Sequence, residues 1–89
     1  MIRPDDLSPL TRSRMDTARA RFTADAERMR AAMQDRGGAS DEEAATVLLS
    51  GLASAMAGVM AALVPPGARA ETVRTLSAAL HVNLMKEGS

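Results

Sequence analysis

Of the side chains able to move a proton or attack a carbon, this 89-residue chain offers one imidazole, His81, and no thiol. Its other candidates are two short acidic runs, Asp5-Asp6 and Asp41-Glu42-Glu43. A catalytic histidine needs a nucleophile within reach and a third group to orient it. Helical spacing sets Arg74, Ser77 and Met85 beside His81, which makes no such relay, so a surface histidine is the expectation. The chain also lacks a Gly-x-Ser-x-Gly elbow, a glycine-rich phosphate loop and a His-x-x-x-His pair. Carboxylates suit magnesium or calcium, but neither acidic run has the spaced ligands of a calcium loop, and helix-end capping accounts for both. The reading is therefore a protein that is not an enzyme, with no catalytic residue, no cofactor and no metal.

The remaining chemistry is charge. Eleven Lys and Arg balance eleven Asp and Glu, so the whole chain has no pull on polyanions. Arg12, Arg14, Arg19 and Arg21 nevertheless stand against a single acid, Asp16, a local excess that could hold phosphates or an acidic protein patch. Because they lie on two opposite flanks of a helix and several have acidic neighbours, a solvated, salt-bridged face is favoured over nucleic-acid binding. Arg12 with Asp16 and Arg21 with Asp25 are spaced as i,i+4 pairs.

Those residues sit on elements that the punctuation of the chain defines. Gly37-Gly38 and Pro65-Pro66-Gly67 break it into three segments, and no alternating β-branched run calls for a strand. The first segment opens with Ser8 as N-cap and Pro9 at the first helical position, and runs to Arg36, with Gly37 suited to a left-handed C-cap. In the second, Ser40 can cap the Glu43 amide while Glu43 reaches back. The third carries Val73, Leu76, Leu80 and Leu84 at three- and four-residue spacing and ends near Lys86. The expected fold is all-α: one domain, residues 1–89, of three helices at about 9–36, 41–64 and 68–86, forming a bundle with a long N-terminal helix.

Met15, Ala18, Phe22, Ala26, Met29 and Met33 form a narrow apolar stripe on the first helix, between arginine shoulders. The middle segment is different. From Ala44 to Val64 there are 21 consecutive residues without charge. That length could cross a bilayer, but only seven are Leu or Val against seven Ala, two Gly and several hydroxyls, with no aromatic belt, so no membrane association is expected. On a helical wheel Leu48, Leu49, Leu52, Met56, Val59, Met60 and Leu63 gather on one side, suited to a core with Met15, Phe22, Met29, Val73, Leu76 and Leu80. Val47, Gly51, Ser54, Gly58 and Ala61 follow one another on the opposite side, where a lone bundle should carry charge. Small residues at that spacing admit a second helix closely, and a two-fold homodimer through this strip is the expected filler. A groove on a larger partner, or tight packing inside the chain itself, are the other fillers.

The octet Leu76-Ser77-Ala78-Ala79-Leu80-His81-Val82-Asn83 resembles the core of helix-turn-helix regulators, which implies a turn followed by a DNA-reading helix. It departs from that pattern at His81, where the turn takes Gly, and only six residues follow Asn83, so the last helix is read as running on through His81. With no Cys, and no apolar core in MIRPDDLSPL to form a secretory signal, a cytoplasmic protein is expected. Function then falls to binding: a small helical accessory, structural or inhibitory factor, of a kind frequent in phages and mobile elements, that scaffolds or occludes a larger protein. The alternative is a dimeric DNA-binding transcriptional regulator using Arg12, Arg14, Arg19 and Arg21.

Overall fold

A computed structural model describes residues 2–88. Its order is a 3-10 turn at Pro4–Asp6, helix α1 at Pro9–Ala31 continuing into a π-wound turn at Ala32–Arg36, α2 at Asp41–Leu63, a 3-10 turn at Pro66–Ala68, and α3 at Arg69–Glu87. The described residues contain no strand. The chain divides into two units, Ile2–Ser54 and Ala55 onward, with the division falling inside α2.

In the first unit, α1 starts where its residues dictate. The Ser8 hydroxyl accepts from the Thr11 amide at 3.2 Å, and Pro9 takes the position where a missing N–H costs nothing. α2 starts in a reciprocal capping box: the Glu43 amide donates to Ser40 Oγ and the Ser40 amide donates to Glu43 Oε1, both at 3.1 Å. These bonds hold the Glu43 carboxyl below its ordinary value, because they favour the charged form.

The turn between α1 and α2 corrects one expectation. Gly37 remains right-handed at φ −102°, and Gly38 is the left-handed residue at φ 71°. The π-wound turn carries the helix one residue further than an ordinary α-helical end, so the reversal is displaced onto Gly38. There the Gly38 amide donates to Gln34 O at 3.1 Å and the Ala39 amide to Met33 O at 2.8 Å. Both glycines are needed, for different reasons. A Cβ on Gly37 would lie 2.7 Å from the Met33 carbonyl oxygen, whereas at Gly38 the backbone angle itself excludes most side chains.

A cluster of polar side chains fastens this corner. Arg30 Nη2 donates to Glu27 Oε1 at 2.7 Å and to Asp35 Oδ2 at 3.2 Å, and Gln34 Nε2 crosses the turn to Asp41 Oδ1 at 2.7 Å. The Arg30 hydrogen bond holds Glu27 below its ordinary value, and Arg30 itself is driven further toward its charged form.

In the second unit α2 ends at Pro65-Pro66, and Arg69 folds back over its last turn. Its Nε donates to Val64 O at 3.1 Å and its Nη2 to Ala61 O at 3.5 Å, so a guanidinium satisfies carbonyls that the helix end leaves unpaired. Thr72, buried in α3, donates its hydroxyl to Ala68 O at 2.9 Å.

Neither unit closes a core. Ala44 and Thr72 are the buried residues among those described, and no large side chain is fully buried. On α1 the stripe is partly legible: Met15, Ala18, Ala26 and Met33 are half-buried, while Phe22 and Met29 are exposed. The side of α2 expected to be covered by Met15, Phe22, Met29, Val73, Leu76 and Leu80 is open: Leu49, Leu52, Val59 and Leu63 are all exposed, with Leu63 at 77%. The physical reason is composition. Phe22 is the only aromatic in the chain, and α1 offers mostly Ala and Met opposite a 21-residue apolar helix.

Candidate interaction surface

α2 supplies the surface, and its length follows from the absence of any helix breaker between Ser40 and Pro65. Leu, Met and Ala favour helix, and the two interior glycines, Gly51 and Gly58, are tolerated at a cost of about 1 kcal/mol each. By length and composition α2 is also the one described helix apolar enough to cross a membrane.

Much of both of its sides is exposed. Val47, Gly51, Ser54, Gly58 and Ala61 are all exposed, and a Cβ built on Gly51 or Gly58 would meet nothing within 4 Å. Within its own unit, neither glycine is packed against another part of the chain. On the other side Leu48, Met56 and Met60 are half-buried and the rest of the large residues are exposed. The chain leaves 7286 Å² accessible to solvent, against about 5,000 Å² for a well-packed monomer of its mass.

Near the end of α2, Ala57, Met60, Ala61, Arg69, Ala70 and Val73 line an open apolar cleft of about 340 Å³. Its single charged group, Arg69, is already committed to the Ala61 and Val64 carbonyls, so the cleft lacks the convergent polar groups that orient a small ligand.

The arginines of α1 are placed differently from one another. Arg12 Nη2 donates to the Asp5 carbonyl at 2.9 Å, and Arg19 lies 3.6 Å from Asp16. Arg14 and Arg21 are exposed on the helix surface without an ion pair among the described residues. The i,i+4 pairs expected from the sequence, Arg12 with Asp16 and Arg21 with Asp25, do not form. Asp16 pairs with Arg19 and Asp25 with Arg28, each three residues on. In the observed pairs the acid precedes the base, the order that agrees with the helix dipole; in the expected ones it follows. All of these pairs are exposed and contribute little stability.

His81 lies exposed in the middle of α3, which runs unbroken from Arg69 to Glu87. The turn that a helix-turn-helix octet requires is therefore absent from this segment. No group of three or more metal-ligating side chains assembles among the described residues. Comparison with protein-family models, with curated proteins and with solved structures finds no match to this chain.

Two features of this surface escaped the sequence reading. The fold-back of Arg69 onto α2 crosses a Pro-Pro-Gly turn, and the Gln34 bridge to Asp41 crosses a Gly-Gly turn. Either bond depends on the path of the turn rather than on a fixed helical spacing. A cation shortly after a helix end is the one signal that pointed to the first.

Proposed function

We propose that this chain works by binding and not by catalysis: it is a small helical interaction factor whose bundle core is completed by another polypeptide. The observation that carries this is the exposure of Leu49, Leu52, Val59 and Leu63 along one helix of a chain that already leaves 7286 Å² accessible. A row of exposed large apolar side chains along one helix marks a protein contact. Self-association into a homodimer is the simplest completion. It leaves Arg12, Arg14, Arg19 and Arg21, on the two flanks of α1, as the contact for a protein partner with an acidic surface, which the assembled factor scaffolds or occludes. A cytoplasmic setting suits such a role.

Light scattering on the eluting protein, with circular dichroism melts over a wide dilution series, tests the reading. A chain that needs a companion has a melting midpoint that falls on dilution, or melts broadly when alone. A sharp melt of a monomer, unchanged by dilution, overturns it. A duplex DNA mobility assay separates the regulator reading: retention at low salt that collapses steeply with added salt would shift the arginines of α1 from protein to phosphate.

A further inference from the structure

We infer that the occupant of the large-residue side of α2 is a second copy of this chain, lying antiparallel along it about a two-fold axis near Ala55 and Met56. This rests on the reading that the core is completed by another polypeptide, and it specifies which polypeptide, which face and which direction.

Three observations point the same way. An isologous contact must be self-complementary: what one half of the helix presents, the other half must receive. On α2 the half-buried Leu48 and the exposed Leu63 stand equally far from a point between Ala55 and Met56, and so do the exposed Leu52 and Val59. An antiparallel copy therefore sets Leu48 against Leu63 and Leu52 against Val59, with Met56 near the axis.

Charge fixes the direction. Asp41, Glu42 and Glu43 occupy the first turn of α2, and the Arg69 guanidinium rests on the carbonyls of its last turn. A parallel pair would crowd six carboxylates at one end. The antiparallel pair brings each acidic end to an Arg69 end, and it opposes the two helix dipoles as well. In the register that matches the leucines, the first turn of α2 lies just past the last turn of the opposing α2, the end on which Arg69 rests.

Area fits the scale of a permanent dimer. Each chain exposes about 2,300 Å² more than a well-packed monomer of its mass, more than the roughly 1,000 Å² per copy that the smallest obligate dimer interfaces cover. The small-residue side, Val47, Gly51, Ser54, Gly58 and Ala61, offers far less apolar area per turn. It remains on the outside of this pair.

The chain has no native Cys, so single-cysteine variants carry a nitroxide cleanly. Thr46→Cys and Ala53→Cys place the label on the flank of the seam, far from and near the proposed axis. At about 1.5 Å of rise per residue, an antiparallel pair separates the two Thr46 labels by about 28 Å along the axis and the two Ala53 labels by about 8 Å. Dipolar spectroscopy on a species of dimeric mass should read a long distance for the first and a short one for the second. Equal distances at the two sites mean a parallel pair and overturn the inference while leaving the need for a companion intact. A monomer with no dipolar coupling and a broad melt overturns the second copy as occupant and leaves a different protein. Co-sedimentation of such a monomer with neutral phosphatidylcholine vesicles overturns it in favour of lipid. A monomer with no coupling and a sharp, dilution-independent melt overturns both the inference and the reading beneath it.

Discussion

The corner joining α1 to α2 and the middle of α2 are built on opposite principles. At the corner, a dense set of short-range polar contacts fixes the backbone: the Ser40 and Glu43 box, the Arg30 contacts to Glu27 and Asp35, the Gln34 bridge to Asp41, and two glycines with distinct tasks. In the middle of α2 there is no ionisable side chain from Ala44 to Val64 and hardly any burial. The corner needs nothing beyond its own residues. The midsection has the composition of an interior without the neighbours of one, and hydrophobic burial, not hydrogen bonding, supplies most of the free energy of folding. Shape is thus specified locally at the corner, while the midsection exposes the side chains whose burial would stabilise the fold.

The sharpest way to break that contrast is to charge the midsection. Leu52→Glu should have the largest effect. Burying a leucine stabilises by about 1.5 to 3 kcal/mol, and a symmetric pair loses two of them, so association should weaken by at least about a hundredfold. Sedimentation equilibrium measures it. Arg14→Glu on α1 should leave the self-association constant within about twofold, since an exposed charge on that flank takes no part in the seam. Equal losses from the two substitutions would mean that the midsection holds no special place.

Gly38→Ala attacks the corner. Forcing an L-residue to φ 71° costs about 1 to 2 kcal/mol, so the melting midpoint should fall by several degrees without loss of dimeric mass. Gly37→Ala should also destabilise, by pressing a Cβ against the Met33 carbonyl. A variant at position 38 that melts like the parent would show that the corner is not fixed by this turn.

Much of the corner was legible in the sequence because capping boxes, N1 prolines and Gly-Gly ends act over three or four residues. Ser8, Pro9, Ser40 and Glu43 do what their types and order dictate, and the three helices run close to where those signals set them. The shift of the left-handed residue from Gly37 to Gly38 was not legible, because the π-wound turn depends on how Ala32–Arg36 winds and not on any one residue. The partners of Asp16 and Asp25 do not follow from spacing alone, because the direction of the helix dipole favours a base after the acid over one before it. For the candidate surface, the two faces of α2 could be drawn on a wheel from Leu48 and Gly51 onward. Whether anything covered them could not, since that depends on chain segments tens of residues away and a wheel carries no information about them.

Gly51→Ala sharpens the comparison within α2 itself. A helix-interior glycine replaced by alanine gains up to about 1 kcal/mol where the new methyl meets open space, as it does here. If the small-residue side faces solvent in the assembled protein, the melting midpoint should rise by a few degrees. A fall would place a close-packed helix against Gly51, and the self-association seam would then belong to Val47, Gly51, Ser54, Gly58 and Ala61 instead of the leucine side.

The smallest expected effect is the acid response of the corner. Glu43 and Glu27 are both held below the ordinary value of 4.5, the first by the Ser40 amide and hydroxyl and the second by Arg30. A carboxyl whose folded value is depressed contributes stability that is complete above its unfolded value and is lost as pH falls through the folded one. The melting midpoint should therefore be level from neutral pH down to about 5 and decline below 4.5. The decline should be modest, since both side chains are exposed and solvent screens their contacts. Glu43→Gln with Ser40→Ala should lower the neutral-pH midpoint and flatten the acid limb, because the group that titrates and the cap that depresses it are both gone. The midsection from Ala44 to Val64 holds no ionisable side chain and so contributes nothing to the acid response. A steep acid loss that persists in the Ser40 and Glu43 double variant would accordingly show that this cap does not carry the acid response.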